Sequence, residues 1–265
     1  MTQRTFADLH HADEPLLLPN AWDHASAAAL AAQRFPAIGT TSLAVAAAAG
    51  LPDGAAATRE QTLLLARALG SEPFHLSVDA EGGFSDDPDE VAEFARELHA
   101  AGAVGINLED GLGPVDRHAA KIAAVRAAAP GLFVNARTDT HWLGDGDGTI
   151  HRLDAYRQAG AHGVFVPGLT EAREIAALVR GLDGGVPLNI LYSPTGPSVP
   201  HLADLGVRRI SLGSLLYRRA LGAAVQAATD IRAGRTPGGP VPTYEEIQAL
   251  SRDTGGAADA TVSFE

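Results

Sequence analysis

Three short apolar runs in this chain each stop at ionisable residues. HLSVDAEGG reaches Asp79 and Glu81, GINLEDG reaches Glu109 and Asp110, and FVNARTD reaches Arg137 and Asp139. From Asp79 to Glu109 is 30 positions, and from Glu109 to Arg137 is 28. That interval suits a strand, a loop, a helix and a return loop, the unit from which parallel sheets are built. Parallel strands end on the same side, so Asp79, Glu81, Glu109 and Arg137 are expected to converge on one rim. Carboxylates crowd together only where something offsets their repulsion, and a hard divalent cation is the usual partner.

The alternation runs through the chain. Strands are read at 16–21, 37–42, 75–79, 104–108, 132–136, 163–166, 187–191 and 208–212. Helices are read from Asp23 or His24 to Arg34, and at about 59–69, 88–101, 116–129 and 149–159. Three more follow: from about Thr170, at 198–205, and from Ser214 to about Ala233. An Ala-rich loop ending in LPDG is expected after the second strand. Asp87 is read as the cap of a helix whose first turn holds Pro88. The phrases AGAVGI, AGAHGV and DLGVRRI read as a helix end with glycine, then entry into the next strand. Eight such units predict a single (β/α)8 TIM-type barrel over residues 1–233. Residues 234–265 read as a Gly/Pro-rich linker, a short helix to about Arg252 capped by Thr243 with Glu246, and a frayed tail.

Composition narrows the partners. A net charge of -12 argues against nucleic acid and anionic membranes. With no cysteine, disulfides, thiolate metal sites and thiol nucleophiles are excluded. No apolar stretch reaches membrane-spanning length, and the first residues carry no apolar signal core. A cytoplasmic protein acting on a small molecule is the expectation.

Five segments in this order, PNAWD, the TTS turn with LPDG downstream, DAEGGF, NLED and NARTD, resemble the isocitrate lyase/phosphoenolpyruvate mutase superfamily over about residues 15–230. The resemblance implies a barrel that binds Mg2+ and small 2-oxo or enol carboxylates and works through an enolate-like intermediate. It implies that Asp79 touches the metal, that Glu81 and Glu109 complete the acidic set, and that Asp53 assists. It further implies that Thr41, Ser42 and Leu43 hold the substrate carboxylate through backbone N–H groups, while Arg137 faces the developing oxyanion. Members of the family often exchange their last helix between protomers, which implies a homodimer or homotetramer.

The chain also departs from the family. After the fourth strand the lyases carry a lid with a cysteine acid–base; here the stretch is GLGPVDRHAAK. The lysine and asparagine of the mutase loop are missing, and Pro167 stands where phosphonate enzymes place a histidine. The reading is therefore an Mg2+-dependent carbon–carbon lyase or decarboxylase acting on a small 2-oxo or 2-hydroxy carboxylate. The alternatives are a P–C bond mutase or hydrolase acting on phosphonopyruvate-like substrates, and a catalytically silent barrel that binds carboxylates. Plainer roles are open for single residues: capping for the acids, an ion pair with Asp139 or Glu109 for Arg137, a turn for Asp53. His118 reads as a solvated helix-start residue and His10–His11 as a disordered pair. His141 and Trp142 either line a pocket or pack a loop.

Overall fold

The computed structural model describes residues 4–251. A short helix α1 (Phe6–Leu9) precedes β1 (Leu16–Leu18) and β2 (Asn20–Ala21). Then come α2 (His24–Ala32), β3 (Ala37–Thr40), α3 (Ser42–Ala49) and α4 (Arg59–Leu69). β4 (His75–Asp79), α5 (Pro88–Ala100), β5 (Ala103–Glu109), α6 (Val115–Ala128), β6 (Phe133–Arg137) and α7 (Thr149–Gln158) follow. The remainder is β7 (Gly163–Val166), α8 (Ala172–Leu182), β8 (Leu188–Leu191), α9 (Val199–Asp204), β9 (Arg209–Ser211), α10 (Leu215–Arg232) and α11 (Tyr244–Gln248).

All strand pairs are parallel, in the order β1-β9-β8-β7-β6-β5-β4-β3-β2. β1 and β2 are one strand position broken at Pro19, which has no N–H to give a ladder. β1 pairs with β9 on one side and β2 with β3 on the other, so the sheet closes into the eight-position barrel. Strands are buried on both faces, and a continuous apolar layer lies between strands and helices, as in Val78, Phe94, Leu98, Leu108, Ile122 and Val134. The expected helix caps are in place: Asp87 accepts from Asp89 N, and Thr243 and Glu246 form a reciprocal box.

Four local readings are corrected. The Ala-rich stretch after β3 is a helix, α3, and β3 stops at Thr40. Alanine has the highest helix propensity, and Gly50 ends the helix in a left-handed conformation at φ 69°. The His10–His11 pair follows directly on α1, whose Thr5 and Asp8 form a capping box. His10 is 1% exposed rather than disordered; its ring stacks on Phe133 at 4.2 Å and its Nδ1 meets the Phe6 carbonyl. The same segment explains a glycine: a Cβ on Gly105 would stand 2.5 Å from the Phe6 ring, so only glycine admits this plug at the base of the barrel. Finally, His118 is buried inside α6 against the Tyr156 ring. The short β5–α6 connection brings the first turn of α6 down onto its neighbour α7, and solvation is lost. The helix end expected at Arg252 lies outside the described residues.

Candidate active site at the barrel mouth

β4, β5 and β6 run in register, with Asp79 beside Asn107 and Glu109 beside Arg137. Their C-terminal ends meet on one rim. Arg137 is the hub: its Nη1 pairs with Glu109 Oε2 at 2.8 Å and its Nε donates to Asp139 Oδ1 at 2.7 Å. Both ion pairs raised as plain alternatives are therefore present. They also fix the guanidinium between two strands. Burial works against the Arg137 charge, but Glu109, Asp139 and Asp79 outweigh it and push its pKa up.

The acids remain in excess. Burial pushes the Glu109 carboxyl up to about 8; Arg137 opposes the shift, and Asp79, Asp139 and Glu81 add to it. Glu81 is raised by burial as well, against the pull of Thr58 and Ala56. Its carboxylate accepts from Thr58 Oγ1 at 2.5 Å and from Ala56 N at 3.2 Å. Glu81 also has φ 47°, and Phe84 and Leu112 nearby in the same two loops have φ 62° and 60°. Left-handed backbone at non-glycine residues is costly and concentrates at functional sites.

The TTS turn is built differently from a strand end. Thr41 is the N-cap of α3 and makes no side-chain capping bond. The first N–H groups of a helix have no intrahelical partner and carry its positive dipole end. That of Ser42 donates to Asp79 Oδ2 at 3.1 Å, while those of Leu43 and Ala44 donate to no protein group among the described residues. The Thr40 hydroxyl accepts from Asp79 N at 2.9 Å. A helix terminus facing a cleft is a ready anion site.

The named residues divide between two cavities. Thr41, Ser42, Leu43, Asp53, Asp79 and Arg137 line a mouth cavity of about 90 Å³, whose apolar side is lined by Trp142, Phe165, Pro167 and Leu191. Glu81 and Glu109 line a second cavity of about 330 Å³ with Lys121 and His118. The Glu109–Arg137 pair bridges the two. Trp142 thus lines the pocket, whereas His141 lies against the Asp145–Gly148 loop.

One polar layer was not anticipated. Inside the barrel, Arg209 is 1% exposed and donates to Ser211 Oγ, Ser77 Oγ and Asn107 Oδ1. Asn135 Nδ2 also donates to Asn107 Oδ1, and Asn189 bonds Ser211. Complete burial pulls the Arg209 pKa down to about 9, so it stays charged at neutral pH. A signal existed: GINLE, FVNAR and PLNIL each carry an asparagine within an otherwise apolar strand.

The donor set at the rim is all oxygen, which suits a hard cation such as Mg2+. Among the described residues no three acidic or histidine side chains come close enough to enclose an ion. Asp79 and Asp53 line one cavity and Glu81 and Glu109 the other, so the four acids share the rim without forming one closed ligand shell.

The comparisons agree with this architecture. The family model described as phosphoenolpyruvate phosphomutase matches residues 6–232. An uncharacterized protein of Mycobacterium tuberculosis (strain ATCC 25618 / H37Rv) is 44% identical, over 92% of this chain and 95% of that protein. A 2-methylisocitrate lyase of Bacillus subtilis (strain 168) is 32% identical, over 75% of this chain and 70% of the lyase. A crystal structure from Burkholderia cenocepacia J2315, described only as of the lyase/mutase type, superposes with a TM-score of 0.84 at 36% identity, covering 94% and 95% of the two chains. With a barrel closed in register, a rim of acids around one arginine and a family match over nearly the whole barrel, the chain belongs to the isocitrate lyase/phosphoenolpyruvate mutase superfamily.

Proposed function

We propose that this protein is an Mg2+-dependent enzyme that makes or breaks a C–C bond of a small 2-oxo or 2-hydroxy carboxylate through an enolate-like intermediate. The observation that carries the reading is the placing of the Asp79 carboxylate, the Arg137 guanidinium and the free N–H groups of α3 around one small cavity. The likeness to a 2-methylisocitrate lyase supports the same class of chemistry.

Leu43 N–H and the hydroxyls of Thr41 and Ser42 bind the substrate carboxylate at the positive end of α3. Arg137, fixed by Glu109 and Asp139, points its remaining N–H groups at the 2-oxo oxygen. As the C3–C4 bond breaks, its electron pair forms the C2=C3 double bond and the carbonyl pair moves onto the 2-oxo oxygen, whose charge Arg137 stabilises; the C4 fragment leaves as CO2 or a carbonyl compound, and C3 then takes a proton from water. A bound Mg2+ would supply further positive charge on the same side. Preorganised groups of this kind contribute roughly 3–4 kcal/mol each to lowering a barrier. Phe165 and Pro167 line the apolar side of the cavity, where a lower local dielectric strengthens each charge interaction.

Assembly belongs to the same proposal. α10 is 18 residues long and has no buried residue, with Leu221, Val225 and Ile231 exposed. Its apolar residues fit burial against a second copy, as in helix exchange within a homodimer or homotetramer.

The test is calorimetric titration of oxalate, a planar mimic of pyruvate enolate, with Mg2+ and then with EDTA. Metal-dependent binding that Asp79→Ala abolishes is the expected result. Binding indifferent to metal and to Asp79→Ala would overturn the reading in favour of a silent carboxylate-binding barrel. Turnover of phosphonopyruvate in preference to 2-oxo acids would replace C–C by P–C chemistry.

A further inference from the structure

The mouth cavity has a hydrogen-bond donor in its wall that the scheme above leaves unused. Asn107 stands on β5 next in register to Asp79, is 7% exposed, and lines the cavity. Its Oδ1 accepts from Arg209 Nη2 at 3.1 Å and from Asn135 Nδ2 at 2.8 Å. A guanidinium can only donate, so the orientation of the amide is forced: oxygen toward Arg209, nitrogen away from it. Among the described residues, Asn107 Nδ2 donates to no protein group. That amide nitrogen is not among the enclosed unpartnered atoms, so it opens onto the cavity, where a ligand oxygen can take the place of water.

The neighbouring candidate is already spent. Ser211 Oγ accepts from Asn189 Nδ2 at 3.0 Å and Arg209 Nε at 3.3 Å, and donates to Asn189 Oδ1 at 3.2 Å. Asn107 is thus the group through which the interior polar layer reaches the cavity.

We infer that Asn107 is a substrate-binding residue whose Nδ2 donates to an oxygen of the small acid, either a carboxylate or a 2-oxo oxygen. Arg209 and Asn135 are positioning residues that keep the amide from turning over. The contact selects ligands that present an acceptor at that point and rejects those presenting a methyl or ammonium group. The inference rests on the small-carboxylate reading of the same cavity.

The experiment is calorimetric titration of oxalate with Mg2+ into the wild-type chain, Asn107→Asp and Asn107→Ser, with thermal melts of each. Aspartate keeps an acceptor for Arg209 and Asn135, so N107D should melt at or above the wild-type temperature. It offers no N–H and faces the ligand with a charge, so oxalate affinity should fall at least ~30-fold, the scale of a lost charge-assisted hydrogen bond. N107S should fall roughly 10-fold on the same grounds. Wild-type binding with both variants within about threefold of it would overturn the inference and leave the carboxylate reading standing. Absence of wild-type binding would overturn that reading, and this inference with it. Should N107D fail to fold, N107S with its melt decides between the same outcomes.

Discussion

Replacing Arg137 by glutamine tests whether the rim is a charge-balanced unit or a set of independent contacts. The side chains of Arg137 and Glu109 are each 15% exposed, and that of Asp139 is 2% exposed. Removing one partner of a buried ion pair leaves an uncompensated charge and typically costs about 3–5 kcal/mol. For a chain of this size that is a fall in Tm of roughly 6–20 °C. Part of the cost is relieved by proton uptake, because the Glu109 carboxyl is already pushed up by burial and loses the guanidinium that opposes the shift. Below about pH 8 wild type and variant both hold this proton and lose stability in parallel as pH rises, so the Tm deficit should widen only above about 8, where the wild-type carboxyl has titrated and the variant's has not. The double variant Arg137→Gln/Glu109→Gln removes both charges of that pair and should recover at least half of the lost stability. It should not recover oxalate binding or activity, where loss of an oxyanion contact costs about 10²–10³-fold. Thermal melts across pH, paired with oxalate titrations, check both parts. A single variant that melts like the wild type, or a double variant that melts no higher than the single one, would refute the charge-balance argument.

Three further outcomes follow from the geometry. Ser42→Pro removes the N–H that holds Asp79 while suiting the first helical position of α3, since Thr41 is already extended at φ −140° and ψ 120°; Mg2+-dependent oxalate affinity should drop about tenfold with little change in Tm, and unchanged affinity would show that this amide does not orient Asp79. Burial depresses the pKa of His10 to about 3 and of His118 and His162 to about 4. These rings bind more protons in the unfolded chain below pH 6.5, so denaturant melts should show the stability of the wild type relative to a His10→Phe/His118→Phe variant falling from pH 6.5 to 4, with a slope approaching about 1.4 kcal/mol per pH unit for each ring; a pH-independent difference would mean these rings are solvated. Light scattering at micromolar concentration should return a multiple of the 27.3 kDa chain mass, and a sharp monomer mass would sink the proposed burial of α10 against a second copy.

The barrel was legible because its signals are local and repeated. Each β-α unit has an apolar run, a cap and a glycine-marked return, and helix α4 and strands β4 and β7 start and stop where periodicity places them. The rim was legible for the same reason: strand ends in a parallel sheet share a side, so residues 30 positions apart could be brought together on spacing alone. α3 was missed because eight residues of nearly uniform apolarity have no period to read, and only packing on the barrel separates loop from helix.

Sequence by itself thus determined the architecture and the membership of the rim: Asp79, Glu81, Glu109 and Arg137 sit at strand ends whatever the loops do. Tertiary structure decided what each of them is free to do. Glu81 is committed to Thr58, Arg137 is shared between Glu109 and Asp139, and Asp79 is met by an amide of a helix hidden in an alanine run. It also decided the interior layer, where Arg209 and Asn107 are 102 positions apart and meet only because β5 and β9 face each other across a closed barrel. The physical reason is that strand direction is set by local pattern, whereas hydrogen-bond partners across a barrel depend on closure, register and side-chain reach, which no short window of sequence contains.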